Sequence, residues 1–206
     1  AMGVACVDAP MSGGPLRARA GTMSWMLAAP KAALARHPEL WSLLANPVFH
    51  VSERYGDGAR TKLVNNLLAG INLVGTAEVL ALADRMGLNL NTTLDVIECS
   101  SGQSWIGSDR MRRALVGDFA PRAHVTLLEK DTGLAMAAAQ LVGFECPLGA
   151  SAAAVFAQTR QAGWAEHDDG AVEEMLAVCV YMGGGPALMY ASETLAAWDA
   201  FERMTA

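Results

Sequence analysis

The residues best suited to chemistry stand at the start of a long apolar segment. Lys62 and Asn66 follow the turn sequence Gly56-Asp57-Gly58, and their spacing places them on one face of a helix. The positive end of a helix dipole disfavours a lysine, so the pKa of Lys62 is expected to fall, as partial burial would also make it fall. Such a lysine suits general acid/base catalysis near neutral pH. The common alternative is a surface lysine whose stem covers apolar neighbours.

A second candidate is the run Ser12-Gly13-Gly14, which follows a strand-like segment and the letters DAPM. Two glycines allow the backbone to approach a ligand closely and to direct N–H groups towards it. A carboxylate is a natural ligand of such a turn. Taken alone, Ser-Gly-Gly is also typical of an ordinary glycine turn.

A third candidate is the pair Lys130-Asp131 in the helical segment LLEKD. Adjacent opposite charges on a helix are usually a solvated surface pair, so this signal is weak alone. We predict no metal site, because the four cysteines and four histidines are dispersed, without a CxxC pair or a spacing typical of zinc. Buried small apolar residues are the expected role of the cysteines.

The pattern of apolar residues predicts a mainly α protein. KLVNNLLAGINLVGTAEVLALADRMG contains no proline and reaches a glycine, which predicts one helix over residues 62–86. Residues 1–57 instead combine short β-like runs, VACVDA, GTMSWML and PVFHVS, with one helix over 31–45, which indicates a small α/β unit. Further helices are predicted over 91–99, 104–115, 124–142, 147–162, 169–182 and 187–204.

Composition and charge exclude several classes of protein. The 206 residues are 52% hydrophobic, which suffices for a packed core and makes wholesale disorder unexpected. The net charge is −6, without a run of lysine or arginine, so nucleic acid is not an expected partner. No uninterrupted apolar stretch reaches the roughly 18 residues that span a bilayer, and the first residues lack a secretory pattern. We therefore expect no membrane partner and a cytoplasmic location.

The motifs become specific in combination. DAPMSGGP, GTMSWML, GDGARTKLVNNLL, SSGQSW and LLEKDTGLA follow one another in an order that resembles the 3-hydroxyisobutyrate dehydrogenase, or β-hydroxyacid dehydrogenase, family. The resemblance covers roughly residues 5–176. It implies a Rossmann domain followed by an all-helical domain like that of 6-phosphogluconate dehydrogenase, which builds dimers or tetramers. Residues 62–86 look like the long helix that joins the two domains.

The resemblance also implies which residues contact a small hydroxy-acid substrate. Lys62 matches the family's catalytic lysine, which exchanges a proton with the substrate hydroxyl as hydride moves to or from nicotinamide. Asn66 matches the asparagine that orients the substrate. Ser12, Gly13 and Gly14 match the segment that holds the substrate carboxylate.

Other matched positions concern the cofactor and the pocket wall. Lys130 matches a lysine that reaches the cofactor, NAD or NADP, with Asp131 beside it. Ser104 and Trp105 lie where similar enzymes have a loop that lines the substrate pocket. No strand, G-x-G-x-x-G turn and helix precede Asp8, so we expect the cofactor site to be incomplete in this chain.

This resemblance suggests three segments. Residues 1–57 are interpreted as a remnant of a dinucleotide-binding domain, residues 58–176 as an all-helical catalytic and dimerisation domain, and residues 177–206 as a helical C-terminal extension. The unusually apolar helices and the incomplete sheet predict a homodimer or a higher homo-oligomer.

Two functions from different classes stay open. The first is an NAD(P)-dependent oxidoreductase of a short 3-hydroxy acid or its semialdehyde, with Lys62 as the acid/base. The second is a non-catalytic helical dimerisation or ligand-binding module descended from such an enzyme. A separate chain could also supply the missing cofactor domain, in which case cofactor binding would appear only when that partner is added.

Overall fold

The computed structural model describes residues 4–173, 175 and 176. The predicted helix over 187–204 and the predicted extension over 177–206 lie outside the described residues. The chain divides into two compact units, Ala1–Asn66 and Leu67–Ala206.

A three-stranded sheet with the order β1-β2-β3 forms the centre of the first unit. β1 (Met11–Ser12) pairs antiparallel with β2 (Ser24–Ala28), and β3 (Val48–Ser52) pairs parallel with β2. The end of the central strand is its most buried part, with Leu27 2% exposed. The α/β character predicted for this part of the chain is therefore observed.

Two short helices occupy the crossover from β2 to β3, where a single helix over 31–45 was predicted. They are α2 (Lys31–Leu34) and α3 (Pro38–Leu44). Pro38 has no N–H, and its ring excludes the carbonyl of Leu34 from a helical bond, so one helix ends and another begins. The sequence prediction also missed α1 (Gly14–Arg19), although a proline in its first turn is a helix-start signal.

The prediction of a strand at VACVDA was wrong. Asp8 forms only an isolated antiparallel bridge with Ala28, and the first strand begins at β1. In the same register Cys6 would lie opposite Pro30, which has no N–H to donate and stands directly before α2. Regular pairing along β2 therefore cannot continue towards the start of the chain.

The longest element among the described residues is α4 (Asp57–Arg85), which has 29 residues and begins five residues before the predicted start. Asp57 lies in its first turn, where a carboxylate is favoured by the helix dipole. By length and composition α4 could cross a membrane, but 44% of its most apolar window is buried in the protein. Core helices pass the same test, so α4 is weak evidence for a membrane span.

In the described part of the second unit, α4 is followed by four further α-helices. They are α5 (Leu90–Glu98), α6 (Trp105–Ala114), α7 (Val125–Leu141) and α8 (Pro147–Thr159), and a π-helical turn (Arg160–Trp164) follows. The first three of these helices match the predicted spans to within one residue at each end. The helix predicted over 169–182 begins as a 3-10 turn (Asp169–Ala171), and residues 172, 173, 175 and 176 are helical, while residues 177–182 lie outside the described part of the chain.

Each α-helix of the second unit contributes at least one fully buried side chain to its core. Burial of one large apolar side chain contributes about 1.5–3 kcal/mol, so this layer dominates the stability of the unit. Its members with 0% exposure include Leu73, Leu80, Leu94, Met111, Val125 and Phe156. The mainly α fold with a small α/β part, predicted from the sequence, is confirmed.

Candidate active site

Lys62 and Ser12 meet in the first unit. The Nζ atom of Lys62, in the second turn of α4, donates a hydrogen bond of 3.1 Å to the Oγ atom of Ser12, at the end of β1. Both residues are half-buried. The structure thus brings together two of the predicted site residues that are 50 positions apart in the chain. A proton donor or acceptor stands beside the serine-glycine turn.

Asn66 follows Lys62 by one helical turn on the same face of α4. It is half-buried, and its Oδ1 atom accepts a hydrogen bond of 3.2 Å from the Nδ2 atom of Asn65. The role of Asn66 in orienting a substrate stays a prediction.

The turn after Ser12 has a backbone conformation that requires glycine. Gly13 has φ of 137° and Gly14 has φ of 65°, both in the region that other residues rarely adopt. A Cβ atom on Gly13 would also lie 2.8 Å from Cβ of Arg17. The turn itself therefore explains both glycines, and the binding of a carboxylate by Ser12, Gly13 and Gly14 stays a prediction.

Backbone hydrogen bonds to β2 hold the segment that leads to Ser12. The amide of Asp8 donates to the carbonyl of Ala28 at 3.1 Å, and the amide of Ala28 donates back at 2.8 Å. Two residues further, the amide of Met26 donates to the carbonyl of Pro10 at 3.0 Å. Pairing then continues through β1, so the position of Ser12 is set by the central strand.

The side chain of Asp8 contacts the start of the helix that carries Lys62. Its Oδ2 atom accepts hydrogen bonds from the backbone N–H groups of Gly56, at 3.0 Å, and Ala59, at 3.2 Å. These N–H groups lie at a helix start, where the helix itself offers no acceptor. Asp8 belongs to the motif DAPM, and no role was predicted for it from the sequence.

Gly58 is a second residue whose importance the sequence analysis missed. A Cβ atom at this position would lie 2.5 Å from the carbonyl oxygen of Met26 and 3.0 Å from Oδ2 of Asp8. The first turn of α4 therefore lies directly against β2. The sequence does contain a sign of this contact: glycine stands in the first turn of a helix, where most other residues are favoured over it.

Asp57 forms a separate ionic cluster at the same helix start. Its carboxylate accepts hydrogen bonds from Oγ of Ser52 at 2.7 Å, from Nε of Arg54 at 3.1 Å and from Nη1 of Arg60 at 2.7 Å. The bonds from Ser52, Arg54 and Arg60 lower the pKa of Asp57 from 3.8 to about 2.

We expect the variant Asp57→Asn to lose stability at neutral pH but not in strong acid. Because the pKa of Asp57 is lower in the folded state, its contribution is complete above about pH 4 and is lost as the pH falls towards about 2. Thermal melting of the wild type and the variant, at a series of pH values from neutral to strongly acidic, measures the difference between their Tm values. A difference in Tm that does not shrink below about pH 4 would contradict this assignment.

The remaining predicted residues lie in the second unit. Lys130, on α7, has a side chain that is 59% exposed, and its Nζ atom lies 3.0 Å from the carboxylate of Asp131. Trp105 is 58% exposed and is the first residue of α6. Ser104 is the N-cap of that helix and accepts a hydrogen bond of 3.1 Å from the amide of Gly107, so the two residues lie where a loop meets a helix. Their contact with a substrate stays a prediction.

A buried cluster in the second unit joins α6 to the 3-10 turn. Asp168 accepts hydrogen bonds from Nη2 of Arg113 at 2.8 Å and from the amide of Arg122 at 2.9 Å, while Asp169 pairs with Arg110. Burial acts to raise the pKa of Asp168, but these hydrogen bonds hold it below its ordinary value. Burial outweighs the attraction of Arg110 and raises the pKa of Asp169 to about 6. We interpret this cluster as structural support.

Comparison with family models decides the relationship of the chain. Residues 56–178, more than half of the sequence, match the model described as NAD-binding of NADP-dependent 3-hydroxyisobutyrate dehydrogenase. The chain belongs to this family. Residues 1–52 match the model of the NAD binding domain of 6-phosphogluconate dehydrogenase, so the family resemblance extends through the α/β unit.

Individual members of the family show the same relationship. The L-threonate dehydrogenase of Escherichia coli is 34% identical over 170 residues, 82% of this chain and 56% of its own length. The 3-hydroxyisobutyrate dehydrogenase of Pseudomonas aeruginosa is 38% identical, over 82% of this chain and 58% of its own. The crystal structure of 3-hydroxyisobutyrate dehydrogenase from Salmonella typhimurium superimposes with a TM-score of 0.78 at 34% identity, covering 83% of this chain and 60% of that one. The chain thus spans somewhat more than half the length of these family members.

Proposed function

We propose that this chain is part of an NAD(P)-dependent oxidoreductase that acts on a short 3-hydroxy acid or its semialdehyde. The observation that carries the proposal is the hydrogen bond between Lys62 and Ser12, because it sets a titratable amine beside the serine-glycine turn. Relatives named as dehydrogenases of L-threonate and 3-hydroxyisobutyrate support the same class of reaction.

In this proposal Lys62 moves the proton of the substrate hydroxyl. As a neutral amine it accepts that proton when the hydroxy acid is oxidised to the carbonyl compound. As an ammonium it returns the proton when the carbonyl is reduced. A bound nicotinamide would supply the hydride acceptor or donor for the same carbon. The reaction exchanges one proton and one hydride and leaves no covalent link to the protein.

The other residues of the first unit bind and orient the substrate. We assign the carboxylate of the acid to the backbone N–H groups of Ser12, Gly13 and Gly14. A 3-hydroxy acid carries its hydroxyl two carbons from the carboxylate, which lets the hydroxyl reach a neighbouring amine. Asn66, one turn along α4 from Lys62, would donate a hydrogen bond to the substrate and fix its orientation.

The second unit is proposed to contribute Lys130 to cofactor binding. Its ammonium is accessible even while it pairs with Asp131, so a phosphate or a ribose hydroxyl could contact it. Both matching family models are described by NAD binding, which favours NAD or NADP over other redox cofactors. Trp105, exposed at the start of α6, is proposed to contact the substrate.

Calorimetric titration with NAD and with NADP tests the cofactor proposal. We expect one of them to bind and Lys130→Ala to weaken its binding about tenfold or more, since a hydrogen bond to a charged group contributes about 1.5–3 kcal/mol. Lys31→Ala is the matched control, because Lys31 is also an exposed lysine and lies 3.9 Å from Glu53. Absence of binding at millimolar cofactor would instead favour the non-catalytic helical module or a cofactor domain supplied by another chain.

We also propose that the chain associates with itself. The turn between α7 and α8 exposes a group of large apolar side chains, each between 64% and 89% exposed: Leu141, Val142, Phe144 and Leu148. A surface of this kind is commonly covered by a partner, and a symmetric dimer is the commonest arrangement. Sedimentation velocity tests this proposal, and a homogeneous monomer would contradict it.

A further inference from the structure

We propose that Asp8 is a positioning residue that sets the distance between Lys62 and Ser12. The proposal rests on the proposed function of these two residues, because it concerns the geometry of their contact. Asp8 acts through the backbone at the start of α4, and we assign it no contact with substrate or cofactor.

The main chain of Asp8 is anchored on the sheet. Its amide and carbonyl both bond to Ala28, which has 0% exposure, and the next bond along the same register joins Pro10 to Met26. The pairing continues directly into Ser12 at the end of β1. A displacement of Asp8 would therefore be transmitted along an extended, paired segment to the serine.

The side chain of Asp8 is anchored on the helix. One carboxylate oxygen accepts hydrogen bonds from the amides of Gly56, directly before α4, and Ala59, in its first turn. A negative charge at this end of a helix is also favoured by the helix dipole. Lys62 follows Ala59 by three residues, so the turn held by Asp8 leads directly into the turn that carries the lysine.

Asp8 thus links the segment that carries Ser12 to the helix that carries Lys62. Gly58 lets the first turn of α4 lie against β2, and Asp8 supplies the bonds that keep it there. Without the carboxylate, the two amides would need water as acceptor, and the helix start would lose its bonds to the segment that leads into β1, although the bond from Ser52 to Asp57 would still join it to β3. The expected consequence is a longer or more variable contact between Lys62 and Ser12.

Asp57 provides a matched control at the same helix start. It carries the same charge in the first turn of α4, but its side-chain hydrogen bonds run to Ser52, Arg54 and Arg60. These partners belong to β3, the following loop and α4. Asp57→Asn therefore removes one charge from the helix start while the bonds between Asp8 and the helix remain.

The test is site-resolved labelling of lysine amines by acetic anhydride, followed by mass spectrometry across a range of pH. The sequence has three lysines, so Lys31 and Lys130 serve as internal references for Lys62. We expect Asp8→Ala to change the labelling rate of Lys62 relative to Lys31 by roughly threefold, the effect of losing one ordinary hydrogen bond. Asp8→Asn, which keeps an acceptor oxygen, should restore most of the wild-type rate, and Asp57→Asn should leave the rate unchanged.

The outcomes separate this inference from the proposed function. An unchanged labelling rate of Lys62 in Asp8→Ala, in a variant that melts cooperatively, would overturn the positioning role whatever the activity. If Asp8→Ala fails to fold, Asp8→Asn takes its place. Its neutral oxygen is a weaker acceptor for the two amides than a carboxylate, so we expect a change in the labelling rate of Lys62 that is smaller than about threefold but absent in Asp57→Asn. Equal labelling rates of Lys62 in the two asparagine variants would overturn the positioning role. A changed labelling rate in a chain without dehydrogenase activity would support positioning and contradict the proposed reaction.

The separate effects of Asp8→Ala on kcat and on KM give a second test. In a chain with dehydrogenase activity, we expect Asp8→Ala to lower kcat roughly tenfold to 100-fold, because a displacement near 1 Å can cost that much. KM should change little, since the carboxylate turn stays on the sheet. A rise in KM with unchanged kcat would contradict the inference.

Discussion

Replacement of Lys62 by alanine is expected to lower kcat by about 10²–10⁴-fold, the usual contribution of a positioned general acid/base. The physical reason is that the substrate hydroxyl must lose its proton as the hydride departs, and Lys62 is the amine that contacts the serine-glycine turn. Initial rates with short 3-hydroxy acids and the cofactor that binds in calorimetry measure the effect.

A second variant separates proton transfer from charge. Lys62→Arg keeps the positive charge, but a guanidinium does not release its proton near neutral pH, so its activity should fall nearly as far as that of Lys62→Ala. Lys31→Ala, which removes an exposed lysine beside Glu53, should retain full activity. Activity of Lys62→Ala within threefold of the wild type would exclude the acid/base role.

Replacement of Gly58 by alanine is expected both to destabilise the first unit and to displace Lys62. The added Cβ would lie 2.5 Å from the carbonyl oxygen of Met26, and this oxygen belongs to the main chain of a buried strand. Relief requires a shift of β2 or of the helix start. Such overpacking costs about 1–3 kcal/mol in the free energy of unfolding. A displacement of Lys62 by about 1 Å would in addition lower kcat by about 100-fold.

The matched control for Gly58 lies in the same helix. Gly75 is exposed, and a Cβ atom there would meet no atom within 4 Å. Gly75→Ala should therefore raise the free energy of unfolding by about 0.5–1 kcal/mol, because alanine favours a helix over glycine. Urea unfolding of both variants gives the comparison. Equal stabilities for the two alanine variants would show that the first turn of α4 can move at little cost.

The helices of the second unit could be predicted because their signals are local. Short glycine- or proline-containing loops and a regular apolar pattern placed α5, α6 and α7 to within one residue at each end. The break between α2 and α3 also has a local cause, because Pro38 interrupts helical hydrogen bonding. The prediction of a single helix there was wrong although this proline is a known helix breaker.

The sheet could not be predicted in the same way, because strand pairing joins distant residues. VACVDA has the composition of a strand, yet its partner, β2, is followed by Pro30, which ends the pairing at Asp8. The register along β2 also decides where Ser12 lies. No local pattern contains that information.

For the candidate site, the sequence by itself determined the residue types: a lysine and an asparagine one helical turn apart, and a serine before two glycines. Only the tertiary structure decided that Lys62 reaches Ser12 and that Asp8 bonds to the amides of Gly56 and Ala59. The reason is physical: helix propensity and turn preference act between near neighbours, whereas these contacts join residues about 50 positions apart. They exist because the central strand holds one segment and the first turn of the long helix lies against it.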